Sequence, residues 1–521
     1  MAETYRLVGP PGCGKTAYIR RQVEVWSDQY GYAPGDFVLT SLTRAAANVL
    51  RGRVDVPKSN VSTLHSFCYR GLGSPPVAEV GALRKQWNEY VTSKGVDAWS
   101  LEKEGNIHDD VYRERIREHG TGQMLSAYSL WRVTGRKNAL LAETTRAFAK
   151  YWEGFKKDTQ SVDFTDMLEM GLRDLPSCPG EPAVICVDEA QDLTPLQWRI
   201  LHQWAEHTER VIIAGDPAQA LYGFAGAGPE ELLSEIPQEH YRLLSQSYRL
   251  PSDVLTYAES WLGQHSPPMT SARTYRPVAD SPGIVERSEA TWEHPEELLA
   301  EIDLHARIGR TVMVLASCSY MLAPIVGLLR DAGIPFHNPY RPTQGAWNPG
   351  SKESKEAAFS LLTGEGDWWS WGQHLPARHF VGYKKDAAGQ PASKVLQAEA
   401  YQRLSGGQAD TRWYLSEVLG ERKAIAYELA CMGAGWTEKH VIVGTSHSVK
   451  GGEADVVIIF PDVSPAAQQE IDGSTAGFDA AIRLFYVGLT RSRDQVILCA
   501  PVKPRQAIWW PQEERHIEEL K

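Results

Sequence analysis

Short apolar runs separated by helix-compatible stretches set the rhythm of this chain. Tyr5 to Val8, Phe37 to Thr40, Ala183 to Val187 and Val211 to Ala214 are of strand length and mostly apolar at consecutive positions. That pattern predicts strands buried on both faces, as in a parallel sheet covered by helices. A second set follows Pro251: Thr311 to Ala316, Val441 to Gly444, Asp455 to Phe460 and Gln495 to Cys499. Strands alternating with helical stretches predict α/β domains with mainly parallel sheets. Two segments break the rhythm. From about residue 71 to 159 the periodicity is helical, and Trp87, Trp99, Trp131 and Trp152 read as the core of an insertion, with base stacking by one of them as the alternative. From about 335 to 437 the chain is rich in Gly, Pro and Trp, then helical. The predicted division is a first domain of 1–70 and 160–250, a helical insertion of 71–159, a second domain of 251–334 and 438–521, and an insertion of 335–437.

Composition narrows the class. At 521 residues, 42% hydrophobic and 23% charged, the chain has the make-up of a globular protein with several cores. No apolar run approaches the roughly 18 residues of a membrane span, and no signal-peptide pattern opens the chain, so a cytoplasmic location and no membrane partner are expected. Seven cysteines without a C-x-x-C pair argue against a zinc site or a disulfide framework. The net charge of −11 disfavours nucleic acid only weakly, because the field in a groove matters more than the total. Much of the acid lies in Glu286 to Asp303 and Gln512 to Lys521, both read as solvated helical faces.

The chemistry begins at Gly9-Pro10-Pro11-Gly12-Cys13-Gly14-Lys15-Thr16, a complete G-x-x-x-x-G-K-T phosphate loop between a predicted strand and a predicted helix. Its glycines let backbone N–H groups close on phosphates; Lys15 reaches the β- and γ-phosphates and Thr16 holds Mg²⁺. The run Ala183 to Val187 delivers Asp188 and Glu189. Asp188 is the candidate Mg²⁺ ligand and Glu189 the candidate base for the attacking water. A helix cap with acidic first-turn residues is the alternative, disfavoured by the upstream phosphate loop. After Val211 to Ala214, Gln219 is placed to sense the γ-phosphate, while Tyr222 and Phe224 are either core or rings offered to bases.

Taken in order, Gly9 to Thr16, Thr63-Leu64-His65-Ser66, Val187 to Asp192, Gly215 to Ala227, Gln246-Ser247-Tyr248-Arg249, Thr445 to Glu453 and Arg483 to Arg491 resemble the motifs of superfamily 1 DNA helicases of the UvrD/Rep/PcrA branch. Asp163-Phe164-Thr165-Asp166-Met167-Leu168 resembles a further feature of that branch. The resemblance implies two RecA-like domains that close on ATP, with single-stranded DNA across their upper faces. It implies adenine stacking by Tyr248, charge neutralisation by Arg249 and Arg491 from the second domain, and a nucleotide or coupling role for Glu453. Thr43, Thr63, His65, Tyr222, Phe224 and His447 are the implied DNA contacts. It further implies 3′-to-5′ travel on single-stranded or tailed duplex DNA, and a reduced accessory insertion that leaves unwinding dependent on a protein partner.

The chain departs from the branch in four places. Only eight residues precede Gly9, where relatives carry an adenine-reading glutamine segment; Ser41, Leu64 and Ala225 stand where relatives often have an aromatic ring, Phe and Arg. These weaken expected base and DNA contacts. A helicase-like ATPase that senses nucleic acid or nucleotide and gates a partner without unwinding remains the alternative.

Overall fold

The computed structural model describes residues 2–42, 47, 50–101, 122–135, 141–234, 237–264, 275–332, 334, 336–337, 360–361, 367–385, 391–405, 410–419, 440–503, 507–508 and 510. The chain divides into two compact units, Met1–Ser281 with Ser474–Val487, and Pro282–Gly473 with Gly488–Lys521. Both are RecA-like α/β units built on a parallel sheet.

The first sheet contains β1 (Glu3–Val8), β2 (Phe37–Ser41), β3 (Val61–Ser62), β4 (Val184–Asp188), β5 (Arg210–Gly215) and β6 (Tyr241–Leu243), in the order β3-β2-β4-β5-β1-β6. Every pairing is parallel. Consecutive apolar residues along β2, β4 and β5 serve opposite faces. Phe37, Leu39, Val184, Cys186, Ile212 and Ala214 share one core with Ile19, Val23 and Trp26 of the helix Lys15–Tyr30. Val38, Ile185, Val187, Val211 and Ile213 share the other with Leu64, Phe67, Leu168, Trp198 and Trp204. Fully burying each such aliphatic side chain contributes about 1.5–3 kcal/mol, so the two faces dominate the stability of this unit.

The helical insertion has its own core. Trp87, Val91, Leu101, Leu125, Phe148 and Trp152 are buried together, with Trp99 packed at their edge. Trp131 stacks on Tyr128 at 6.3 Å. Ion pairs join the insertion to the sheet domain. Arg132, 6% exposed, meets Asp163, Asp166 and Glu169, and Lys156 meets Asp163 and Asp166. Asp163 also accepts from the Trp152 indole at 2.9 Å and caps the helix Phe164–Asp174 by accepting from the Asp166 N–H. Burial pushes the Asp163 carboxyl up, but Arg132 and Lys156 outweigh it and hold the group below its ordinary value. Glu79 goes the other way: burial, then the Asp163 charge, raise its carboxyl well above the ordinary range.

The boundary expected at residue 250 falls later. The helix Ser252–Leu262 and the return segment through Ser281 belong to the first unit. Val278 N–H donates to the Leu250 carbonyl and Ser252 N–H to that of Ser281, while the Trp261 indole donates to the Ile482 carbonyl. Pro251 starts a helix here and does not end the domain, as Pro commonly does at a helix N-terminus.

The second sheet comprises β7 (Ile284–Arg287), β8 (Val312–Ala316), β11 (Val441–Thr445), β12 (Ala454–Ile459) and β13 (Ser492–Leu498), ordered β11-β8-β12-β13-β7. The intervening β9 (Phe380–Lys385) and β10 (Pro391–Leu396) form a separate antiparallel pair. Val312, Val314, Val441, Val443, Val456, Ile458 and Ile497 pack beneath the helices Leu298–Arg307 and Ala323–Asp331. Phe380 and Leu396 lean on a small satellite core around Leu375, Leu404, Tyr414 and Leu415. The acidic stretch expected to be helical from Glu286 instead begins as the exposed edge strand β7, and helix starts only at Leu298. A four-residue edge strand is too short for a period to show. The tail 512–521, Thr43 and Cys431 lie outside the described residues. Among the described residues, no helix is long and apolar enough to cross a membrane.

Candidate nucleotide site

Register brings the chemistry together. In the first sheet Val8 pairs with Gly215 and Val187 with Ile213, so β1, β4 and β5 end at one edge. β1 lies between β5 and β6, where the strand order reverses, and ligands of open α/β sheets bind at the carboxyl ends of such strands.

The loop after β1 turns on Gly12 at φ 72° and Gly14 at φ 83°, conformations that strain any residue with a Cβ. Gly14 caps the helix Lys15–Tyr30 without a side-chain bond, and the first turn has no acidic residue. Those N–H groups therefore face an anion site with positive partial charge. Lys15 is buried and donates to the Gly9 carbonyl at 2.9 Å and the Pro10 carbonyl at 3.3 Å. Burial pulls its ammonium down, but Cys13, Asp216, Glu189 and Asp188 more than compensate, and the net shift is upward. Burial raises the Cys13 thiol above its ordinary value, against the opposing pull of Lys15.

Thr16 Oγ1 donates to Asp188 Oδ2 at 3.0 Å. A hydroxyl and a carboxylate oxygen side by side, beside the anion site, match the oxygen-only preference of Mg²⁺. Burial first, and the Glu189 charge second, raise the Asp188 carboxyl to about 6. A nearby cation would relieve both penalties.

Glu189 holds φ 58°, a left-handed conformation costing about 1–3 kcal/mol for a residue with a side chain, and one concentrated at functional sites. Gln191, wholly buried, explains how Glu189 is aimed. Its Nε2 donates to Glu189 Oε2 at 2.6 Å while its Oε1 accepts from the Asp216 N–H at 3.0 Å. The approach requires Gly215, since a Cβ there would lie 2.5 Å from that Oε1. Gln219 donates to Asp216 Oδ2 at 2.9 Å, so the candidate base and the candidate γ-phosphate sensor share one scaffold. Gln191 and Asp216 were absent from the predicted site. Both sit in the quoted motifs, but a scaffolding role has no spacing signature.

The segment after β6 returns over the phosphate loop. Ser247 Oγ donates to the Pro11 carbonyl at 3.0 Å, and Tyr248 N–H to that of Gly12 at 2.9 Å. A Cβ on Gly12 would lie 2.4 Å from Arg249 Cβ. The Tyr248 ring is 75% exposed and its Cε2 lies 4.0 Å from a Cβ built on Gly14, so the ring stands in solvent beside the phosphate loop. Arg249 therefore belongs to the unit that carries the phosphate loop, and the expectation that it approaches from the second domain is corrected. The backbone pairing with Gly12 holds it where it is.

The remaining predicted residues divide. Tyr222 is 2% exposed, so its ring is core and not a face for a base, and that expectation is corrected. Phe224 is the middle residue of the short turn Gly223–Ala225. Thr63 is buried and spends its hydroxyl capping the helix Leu64–Gly71. His65, in that helix, meets the Phe164 ring edge at 6.2 Å. In the second unit, His447 follows β11, Glu453 lies 3.5 Å from the Arg493 guanidinium, and Arg491 is buried. The Arg491 guanidinium donates to the Gly452 carbonyl at 3.2 Å and to the Thr490 hydroxyl at 3.3 Å.

A doubly covered parallel sheet, a phosphate loop after β1 and paired carboxylates at the end of β4, on the far side of β5, define a P-loop nucleotide-binding protein. The family model for the UvrD/REP helicase N-terminal domain matches residues 2–239, and that for the UvrD-like helicase C-terminal domain matches 440–499. The chain belongs to the UvrD/PcrA-like family of superfamily 1 helicases. It is 27% identical over 282 residues to the ATP-dependent DNA helicase PcrA of Leuconostoc citreum, covering 50% of this chain and 37% of that protein. It is 24% identical over 279 residues to the probable DNA helicase II homolog of Mycoplasma pneumoniae, covering 48% and 39%. Against PcrA of Bacillus subtilis the identity is 22% over 289 residues, covering 50% and 37%. The matches thus span less than two-fifths of each of these relatives.

Proposed function

We propose that the chain is an ATP-dependent DNA translocase and helicase that moves 3′-to-5′ along single-stranded DNA. The observation that carries the reading is the shared edge of β1, β4 and β5, where the phosphate loop, the Thr16–Asp188 pair, the Gln191-braced Glu189 and Gln219 converge. Lys15 and the loop N–H groups bind the triphosphate, and Tyr248 stacks on adenine. Glu189 takes the proton of the attacking water, with Gln219 reporting the γ-phosphate and Arg249 contributing charge beside the loop. Mg²⁺, held by Thr16 and Asp188, would neutralise phosphate charge. Arg491, with Glu453, joins from the second unit when ATP closes the two. A change of grip between units then advances the strand, read by backbone charge and stacking rather than by base edges. Tailed duplexes are the unwinding substrate, and a protein partner completes unwinding where the accessory segment is small.

The test is ATP turnover with and without single-stranded DNA, followed by strand displacement from duplexes tailed at either end. Stimulation with displacement from 3′-tailed duplexes supports the full reading. Stimulation without displacement reduces it to a translocase or a partner-gating sensor, and absence of stimulation removes the motor.

A further inference from the structure

The helix Gln123–Val133 of the insertion makes two contacts that the proposed cycle does not use. The first is with the loop that carries Gln219. That loop is stiffened by Leu221 N–H donating to Asp192 at 3.2 Å and by successive turns closing on the Tyr222 and Gly223 carbonyls. It ends at Gly226, φ 85°, against the insertion helix and its C-terminal turn. A Cβ on Gly226 would lie 2.6 Å from Thr134 Cγ2 and 3.1 Å from Leu130 Cδ1, so only glycine allows this approach.

The second contact is made one residue pair away. The Arg132 fork binds Asp163 at 2.9 and 3.1 Å and Glu169 at 2.6 and 3.2 Å, and also meets Asp166. Asp163 and Asp166 open the helix Phe164–Asp174 and Glu169 lies within it; that helix packs on the helix Leu64–Gly71 so closely that a Cβ on Gly171 would meet Cys68 Sγ at 2.6 Å. Phe164 itself touches His65. The helix Gln123–Val133 thus touches the loop that carries Gln219 and, through the helix Phe164–Asp174, is linked to the helix Leu64–Gly71, whose start bears the candidate strand contacts.

We infer that the helix Gln123–Val133 couples strand binding to ATP turnover, with Arg132 as the positioning residue that fixes it to the strand-side helix and Leu130 as its contact with the nucleotide-side loop. The inference rests on the reading of the chain as a DNA-stimulated ATPase. Close packing at Leu130 and Thr134 and the planar fork of Arg132 hold the last turn of this helix against both neighbours, and such a joint transmits a displacement that a flexible tether would absorb.

The experiment is a double-mutant cycle in the full chain on Leu130→Ala and Arg132→Gln. It reads the ratio of oligothymidylate-stimulated to basal turnover, the KM for ATP, and the thermal unfolding midpoint. Leu130 is partly exposed, so its truncation keeps the fold if Arg132→Gln does not. The expected result is a ratio lowered about tenfold in either variant, within the usual range of coupling between sites. Basal turnover and KM stay near wild type, and the double variant is no worse than the worse single. Wild-type ratios in folded Leu130→Ala overturn the inference, as do losses that multiply in the double variant. A wild-type chain that no single strand stimulates sinks the motor reading itself, an outcome visible before any variant is made.

Discussion

At the scale of single residues, the account turns on how Glu189 is aimed. Its left-handed backbone and the Gln191 bond fix the carboxylate relative to the loop after β5. Glu189→Gln should lower turnover by about 10²–10⁴-fold, the usual contribution of a positioned base, and leave nucleotide binding intact. Steady-state hydrolysis with a fluorescent nucleotide titration checks both halves. Gln191→Ala leaves every proposed ligand in place but frees Glu189, so the same assay should show turnover falling with little change in affinity. The exposed Tyr248 ring makes a separate prediction. Tyr248→Ala should weaken ATP binding by about 1–3 kcal/mol, the range measured for base–aromatic stacking, whereas Tyr248→Phe should retain it. Equal binding by both variants and wild type would remove the ring from the adenine site. Residue roles were only partly legible in the sequence. Lys15, Thr16, Asp188 and Glu189 are named by spacing because phosphate and metal geometry demands it. The burial of Tyr222 and the attachment of Arg249 to the phosphate-loop unit depend on how β6 and the following segment return over Gly12, which no local pattern encodes.

At the scale of elements, the strands read from consecutive apolar residues recur within three residues at either end, because burial on both faces leaves a strong signal: Val184–Asp188 and Val312–Ala316 are buried throughout. What the pattern did not reveal were short edge elements. β6 has three residues and β7 four, and the β9–β10 hairpin carries Gly382, Lys384, Lys385 and Pro391 in place of β-branched residues. The ionic core under the insertion was equally hidden, since Arg132, Lys156 and Asp163 are separated in sequence and look like solvated charges. Its unbalanced member gives a pH test. Glu79 is raised in the folded state, so its stabilising effect is present below its unfolded pKa of about 4.3 and is lost as pH rises through the folded value. Glu79→Gln keeps an acceptor for the Phe164 N–H, bonded at 2.8 Å, without the charge. It should therefore raise the thermal midpoint at pH 8, with the gain shrinking as pH falls toward 5. A gain that is constant across this range would mean that Glu79 is already charged in the folded protein at pH 5, and so that its carboxyl is not raised.

At the scale of the whole molecule, an acidic chain of net charge −11 is proposed to grip a polyanion. That requires local basic and aromatic groups to outweigh a repulsive background, so strand affinity should fall as salt rises, with a log–log slope of about −0.7 for each phosphate neutralised. Fluorescence anisotropy with a labelled oligothymidylate at stepped salt measures it. The two-unit division also bears on the proposed mechanism: Arg249 lies in the same unit as the phosphate loop, so of the two proposed arginines Arg491 alone belongs to the second unit. Replacing Arg491 by Lys should preserve more turnover than Arg491→Ala if charge alone is needed. The most direct measurement is steady-state ATP turnover by the full chain in Mg²⁺ buffer, with and without saturating single-stranded oligonucleotide. The account predicts turnover that rises at least tenfold with the strand, a coupling of about 1.4 kcal/mol or more, and that falls at least about 10²-fold in Glu189→Gln. Turnover indifferent to the strand, or surviving in Glu189→Gln, would contradict it.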